Sequence, residues 1–227
     1  MTNSLSQTLR ILIITALPFA IVLTNVRLLM FPWFLNLEYN KAGFPADINI
    51  RPGTDQMTKE QRQEYAEIAL EYLVNDAEID FLGELEFSNG EPLYDARELQ
   101  HMLDVKVVTQ WTLRVWLLAL LISIGASVAL AWQPHTRQIL RSGLSVGSLI
   151  VVGVLLALVL YILLNFNSFF TRFHLLFFES GTFLFYFDDT LIRLFPLKFW
   201  SDIFMLIGVA SLVEGTLIWL GAWRFLR

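Results

Sequence analysis

The sequence predicts an all-α membrane protein with four transmembrane helices. A mainly helical extracytoplasmic insert lies between spans one and two, and an aromatic interfacial segment lies between spans three and four. Of the 227 residues, 56% are hydrophobic and 16% are charged, whereas soluble domains average about 45–50% and about 25%. Four separate apolar stretches also match the roughly 20 residues that a helix needs to cross a bilayer.

The four predicted spans cover residues 9–34, 111–132, 144–164 and 203–223. A signal peptide is the alternative for the first, but the apolar run is too long and no A-x-A-like cleavage site follows it. The chain then divides as follows: 1–34, the N-terminus and span one; 35–110, an acidic domain; 111–132, span two; 133–143, a loop; 144–164, span three; 165–200, the aromatic segment; and 201–227, span four and tail.

The distribution of charge predicts the orientation of the spans. One set of flanks carries Arg10, Arg137, Arg141, Arg224 and Arg227 and no carboxylate. Residues 35–110 carry six Lys or Arg against sixteen Asp or Glu. Because positively charged loops stay in the cytoplasm, we expect a multi-pass protein of the cell membrane with both termini cytoplasmic and residues 35–110 outside.

The acidic domain shows signs of helical structure. Thr58 is a candidate N-cap for a helix that extends to about Val74, with Gln61 at the capping-box position. Residues 83–92 are compatible with a hairpin. A second helix is predicted to begin near Tyr94 and to continue directly into span two.

The segment 165–200 combines aromatic and charged residues. Thirteen of its 36 residues are Phe, Tyr or Trp, and charged residues recur every few positions. The charges argue against a fifth span, and the aromatics argue against a solvated loop. We therefore expect helical pieces at the outer membrane interface.

Two of the three histidines lie on the predicted outer side. His101 is flanked by Glu98 and Asp104, which helical spacing could place beside the imidazole to orient it. His174 lies among aromatic residues. A catalytic role and a structural one are both open for each histidine. His135 lies in the predicted cytoplasmic loop with no carboxylate nearby, and we assign it no role.

Apart from Arg10 at the start of span one, three charged residues lie within the predicted spans. Arg27 is near the outer end of span one and Arg114 is in the first turn of span two. Intramembrane charge is costly and points to function, although snorkelling to lipid phosphates also explains such arginines. For Glu214 in span four we expect a hydrogen bond to a neighbouring helix rather than a proton relay.

Several familiar catalytic patterns are excluded. Gly143-Leu144-Ser145-Val146-Gly147 fits G-x-S-x-G, but that motif requires a strand before the serine, whereas a transmembrane helix is predicted here. The chain has no Cys, which removes thiolate catalysis and Cys-ligated metals. No phosphate loop, zinc helix or dinucleotide fingerprint occurs.

Two outer motifs resemble those of a bacterial four-span family that includes the lipoprotein intramolecular transacylase. Glu98-Leu99-Gln100-His101-Met102-Leu103-Asp104-Val105-Lys106 is similar to its first motif, and Phe173-His174-Leu175-Leu176-Phe177-Phe178 to its second, which continues from Asp189 to Asp202. The resemblance covers essentially the whole chain.

The resemblance implies a membrane acyltransferase of the outer leaflet. It would move an acyl chain from a glycerol ester to the N-terminal amine of a lipoprotein by histidine acid/base catalysis. His101 is then the general base and His174 the acid or oxyanion-stabilising partner, or the reverse. Substrate binding or oxyanion stabilisation is expected from Arg27, Arg114 and Arg193, and support from Glu98, Asp104 and Asp189.

The resemblance implies no cofactor, no metal and no nucleic acid, with a membrane lipid or lipoprotein as substrate. Two alternatives remain open. In the first, the chain is a non-catalytic membrane subunit or scaffold that docks an extracytoplasmic or membrane partner. In the second, His101 and His174 bind a metal together with Asp104 or Asp188.

Overall fold

The computed structural model describes residues 1–225, with side chains up to residue 224, and it is helical throughout that range apart from loops. Four long helices each have the length and apolar composition to cross a membrane. They are α1 (Asn3–Leu29), α5 (Ala96–Ala131), α6 (Arg137–Leu164) and α9 (Leu197–Phe225). The remaining helices are α2 (Pro32–Tyr39), α3 (Lys59–Val74), α4 (Asp80–Gly83), α7 (Phe166–His174) and α8 (Thr190–Leu194). The predicted all-α, four-span class is confirmed.

The chain forms two compact units. The membrane unit contains Met1–Leu28, Thr112–Leu164 and the chain from Phe204 onward. The insert unit contains Leu29–Trp111 and Asn165–Ile203, the two long segments that separate the spans. The first part of α5 therefore belongs to the insert unit and its apolar remainder to the membrane unit.

The membrane unit is held together by apolar packing and by one polar cluster. Its core includes Ile13, Leu130 and Val151. The amide of Asn25 in α1 donates hydrogen bonds to Ser211 Oγ (3.0 Å) and to Glu214 Oε2 (2.8 Å) in α9. This contact confirms the predicted hydrogen bond between Glu214 and a neighbouring helix, and it satisfies a carboxylate within an apolar bundle.

The G-x-S-x-G match lies entirely within α6. No strand precedes it among the described residues, which argues against a nucleophile elbow at Ser145. Its two glycines instead allow close packing, because a Cβ at Gly147 would lie 3.1 Å from the side chain of Leu17 in α1.

The insert unit has its own core, in which Tyr72, Leu82, Leu93 and Leu194 are fully buried. The predicted α3 is confirmed together with its start. The Thr58 hydroxyl accepts a hydrogen bond from the N–H of Gln61, and the Gln61 side chain accepts one from the N–H of Thr58. This capping box satisfies two of the N–H groups that a helix start leaves without a partner.

Span one ends five residues earlier than predicted, at Leu29 rather than residue 34. Pro32 has no N–H and restricts the residue before it to extended conformations. Phe31 is extended, with φ −101° and ψ 150°, and a new helix, α2, begins at Pro32.

Residues 83–92 include a minimal hairpin, in which the N–H of Phe87 donates to the carbonyl of Glu91 and the N–H of Leu93 to the carbonyl of Leu85, both at 2.8 Å. Asp80–Gly83 is a short helix, and a single antiparallel bridge joins Glu86 to Pro92. The predicted helix near Tyr94 begins at Ala96 and runs without interruption to Ala131. The segment 165–200 contains the two helical pieces α7 and α8, and its placement at a membrane interface stays a prediction.

Candidate functional site

The two predicted catalytic histidines lie close together in the insert unit. His101 is in the second turn of α5, and His174 is the last residue of α7. The centroids of their rings are 6.4 Å apart and the ring planes differ by 19°. Residues 73 positions apart in sequence (174 − 101) therefore share one site.

Five phenylalanines among the described residues contact the histidine pair, one of them Phe173, whose ring centroid lies 5.9 Å from that of His174. Phe178 contacts both rings, with centroid distances of 5.1 Å to His101 and 5.7 Å to His174. Phe185 meets His101 edge-on at 5.1 Å, and Phe183 lies 5.0 Å from His174. Phe170 is nearest to His174, at 4.1 Å. Both imidazoles therefore pack against aromatic surface, with His101 buried and His174 half-buried.

One hydrogen bond defines the tautomer of neutral His174. Its Nδ1 lies 2.8 Å from the carbonyl oxygen of Phe170, one turn earlier in α7. A carbonyl oxygen only accepts, so Nδ1 carries the hydrogen and Nε2 is left with a lone pair. That nitrogen is the one available to accept a proton.

Burial keeps both histidines neutral. Loss of hydration lowers the pKa of His101 to about 4, with a smaller contribution from nearby His174, while Asp104 opposes the shift. Burial also lowers the pKa of His174, opposed by the hydrogen bond to Phe170. His101 Nδ1 is buried without a hydrogen-bond partner in the described chain. A buried polar nitrogen of this kind is typical of a site that acts on a ligand.

Glu98 was expected to orient His101, but its oxygens are used elsewhere. Oε1 accepts from the N–H of Leu191 (2.8 Å), and Oε2 accepts from the N–H of Asp95 (2.9 Å) and from Arg51 (3.2 Å). Asp95 in turn accepts from the N–H of Glu98 at 2.9 Å. Asp95 and Glu98 thus form a capping box that begins α5 one turn before His101.

Asp104 has no hydrogen bond to either imidazole within the described residues. Its Oδ1 accepts from the side chain of Gln100 at 3.2 Å. Its influence on His101 is the electrostatic one noted above. Neither carboxylate proposed to hold the ring by a hydrogen bond does so in this structure.

Asp189 belongs to an ion-pair cluster with Glu98 and Asp95. The ligand oxygens of these three carboxylates lie within 4.8 Å of one another. Arg51 bonds Asp189 at 2.7 Å, and Arg97 bonds both Asp189 (3.2 Å) and Asp95 (3.1 Å). The two guanidinium groups offset the acidic charge, and the cluster contains neither histidine, so it does not support the metal alternative.

Arg193 is buried and forms an ion pair with Asp47. Its Nε and Nη2 donate to the two oxygens of Asp47 at 2.9 and 2.8 Å, and Nη2 also donates to the carbonyl of Asp55. Nη1 donates to Thr54 Oγ1 at 3.3 Å. With these donors engaged, Arg193 supports the architecture of the insert unit, and its side chain also lines the cavity described below. We do not assign it a part in the reaction itself.

Arg27 and Arg114 both belong to the membrane unit. Arg27 lies in the last turn of α1 and Arg114 within α5. Their expected part in substrate binding stays a prediction.

An apolar cavity of about 450 Å³ lies within the insert unit. Phe170 and Phe185, which contact His174 and His101, form part of its wall. Phe187, Phe195 and Trp200 extend this aromatic lining, and the charged side chains of Asp47, Arg62, Arg193 and Lys198 also line the cavity. The histidine pair and the cavity thus share two side chains.

Arg51, Asp47 and the phenylalanines around the histidine pair were not predicted from the sequence. Arg51 lies in an irregular loop, and its contacts with Glu98 and Asp189 span 47 and 138 positions. No local pattern predicts such pairs. By contrast, Asp95 precedes Glu98 by three positions, a spacing that resembles a capping box and could have been recognised.

These features define a four-span, all-helical membrane protein whose insert unit carries a histidine pair in an aromatic cage. The model of the family described as "Lipoprotein intramolecular transacylase Lit" matches residues 11–200. The chain therefore belongs to the lipoprotein intramolecular transacylase family.

The chain is also similar to individual proteins over nearly its whole length. An uncharacterized protein of Aquifex aeolicus is 26% identical over 214 residues, which cover 92% of this chain and 90% of that protein. The solved structure of Lit from Bacillus cereus has a TM-score of 0.79 at 20% identity and covers 99% of this chain and 97% of its own. A histidine-to-arginine variant of that protein has a TM-score of 0.71, also at 20% identity, and covers 99% and 92%. These structures are similar in fold.

Proposed function

We propose that this protein catalyses intramolecular acyl transfer in a membrane lipoprotein, from a glycerol ester to the α-amine of the N-terminal residue. The observation that supports this proposal most strongly is the histidine pair, with ring centroids 6.4 Å apart, which shares Phe170 and Phe185 with an apolar cavity of about 450 Å³. Membership of the transacylase family supports the reaction class.

The reaction needs no nucleophile from the protein. The amine nitrogen attacks the ester carbonyl carbon, a C–N bond forms, and the bond from that carbon to the glycerol oxygen breaks. Because amine and ester belong to one molecule, correct positioning supplies much of the rate advantage. What remains is to remove a proton from the nitrogen and to deliver one to the departing oxygen.

His101 and His174 suit these two transfers. Both are neutral at pH 7 because burial lowers the pKa of each, so either can accept the proton that the nitrogen releases. We assign His101 as general base and His174, through Nε2, as the partner that delivers a proton or stabilises the oxyanion. Nε2 of His174 carries a lone pair, so it must receive a proton before it can deliver one. The nearby His101 ring can pass on the proton taken from the amine, directly or through water.

The aromatic cavity supports a lipid substrate. Its wall includes Phe170 and Phe185, which also contact the two imidazoles. A chain that enters the cavity would therefore bring its ester near the histidines. We further propose that the insert unit lies outside the cytoplasmic membrane and both termini inside, which the Lys/Arg bias supports.

The test is mass spectrometry of lipoprotein N-termini from cells with and without this protein. We expect N-acylated, lyso-glyceryl N-termini to appear only when the protein is produced. A non-catalytic subunit would leave the acyl positions unchanged, so that result would overturn the proposal in favour of the scaffold alternative.

A further inference from the structure

A second site begins with the close crossing of α1 and α6 in the membrane unit. A Cβ at Gly143 would lie 3.5 Å from both Cγ and the carbonyl oxygen of Arg10, and one at Gly147 would lie 3.1 Å from Leu17. The G-x-x-x-G spacing is typical of closely packed membrane helices. It places Arg10 against the first turns of α6.

Arg10 is held at this crossing by one hydrogen bond. Its Nε donates to Ser142 Oγ at 3.0 Å. Among the described residues, its two terminal nitrogens make no hydrogen bond or ion pair. The guanidinium therefore presents unused donors in a half-buried position.

A cavity of about 400 Å³ surrounds these donors. It is lined by Gln7, Arg10, His135, Gln138, Ile139 and Ser142. Five of the six side chains are polar and none is acidic. The cavity therefore offers several hydrogen-bonding groups and a positive charge to one ligand.

Carboxylates are almost absent from this unit. Residues 1–37 and 105–178 contain no Asp or Glu, and within the described membrane unit the one carboxylate is Glu214. Glu214 bonds Asn25, which lies fifteen residues after Arg10 in α1, or about 22 Å along the helix. A half-buried guanidinium without a protein counter-ion favours an external anion.

We propose that this cavity binds the phosphate of an anionic phospholipid headgroup. The lining includes Gln138 and Ile139 from the first turn of α6, and Gln7 and Arg10 from the second turn of α1. Both stretches lie just before apolar runs, where a bilayer places its headgroups. Helix N-termini carry partial positive charge, and a guanidinium matches phosphate geometry with two parallel hydrogen bonds. This site is separate from the histidine pair and does not depend on the proposed reaction.

The test measures binding of phosphatidylglycerol to the detergent-solubilised full chain by native mass spectrometry, with phosphatidylcholine for comparison. Arg10→Gln should weaken phosphatidylglycerol binding about tenfold, since one charged hydrogen-bonding partner is lost. Lys59→Gln removes the same charge from the insert unit and should leave binding unchanged. Gln138→Glu alters an exposed lining residue, keeps Arg10, and should also weaken binding.

Three results would overturn the proposal. In the first, the Arg10→Gln variant binds phosphatidylglycerol like the unmodified protein. If that variant does not fold, the same result with Gln138→Glu counts instead. In the second, phosphatidylcholine binds equally well. In the third, inorganic phosphate at equal concentration displaces the lipid, which would identify a free-phosphate site.

Discussion

The carboxylate of Glu98 accepts a hydrogen bond of 2.8 Å from the backbone N–H of Leu191, 93 residues later in the chain. Glu98 is fully buried and lies in the first turn of α5. The bond joins the helix that carries His101 to α8. Through Arg51, the same carboxylate is also linked to Asp189.

Glu98→Ala should lower the free energy of unfolding by about 3 kcal/mol, because it leaves the N–H groups of Leu191 and Asp95 without their acceptor and removes one of the two carboxylates that bind Arg51. Glu98→Gln keeps one acceptor oxygen and should cost less. Chemical or thermal unfolding in detergent would measure both. The control is Glu91→Ala, at an exposed position, and equal stability of the two alanine variants would contradict this account.

Stability should depend on pH through His101. Burial lowers its pKa from 6.5 to about 4, so the unfolded state takes up the proton first as pH falls. Through this group, the free energy of unfolding has its full value above pH 6.5 and falls by roughly 3 kcal/mol as the pH is lowered to about 4. Unfolding measured across this range should show a smaller loss for His101→Gln than for the unmodified protein. Identical pH profiles would be inconsistent with a neutral buried imidazole.

A substitution of Arg193 tests whether this residue stabilises the insert unit or takes part in acyl transfer. Arg193→Lys cannot reproduce the two parallel bonds to Asp47, and we expect a loss of about 3 kcal/mol in the free energy of unfolding. Acyl transfer per folded molecule should stay unchanged. A variant that folds normally but transfers no acyl chain would restore Arg193 to the site.

The absence of cysteine makes the topology directly measurable. Asn89→Cys, at an exposed turn of the insert unit, should react with a membrane-impermeant thiol reagent on intact cells. Gln138→Cys, also exposed, should react only after the membrane is permeabilised. The opposite labelling pattern would invert the orientation.

The parts of the fold that sequence reasoning predicted depend on local patterns. Four apolar runs identified the spans, and the spacing of Thr58 and Gln61 identified both the start of α3 and its cap. The end of α1 was placed too late because the aromatic residues after Pro32 continue the apolar run. The extended backbone at Phe31 nevertheless ends the helix there.

The surroundings of the two histidines depend on contacts between residues far apart in sequence, which no local pattern encodes. The two histidines were identified by motif, but the side chains around them were not. Phe178, Phe183 and Phe185 belong to the predicted aromatic interfacial segment, and only the fold shows that they contact the imidazoles. Likewise, helical spacing suggested that Glu98 would orient His101, whereas Leu191, Asp95 and Arg51 occupy its oxygens.

We propose that His101 and His174 together transfer the acyl chain. The most direct test incubates the purified protein with a diacylglyceryl lipopeptide and identifies the product by mass spectrometry. His101→Ala and His174→Ala should each lower the rate by at least about 100-fold, the usual contribution of acid/base catalysis. Gln100→Ala and Leu176→Ala change exposed neighbours of the two histidines and should keep the full rate. Transfer at the unmodified rate by either folded histidine variant would contradict the account.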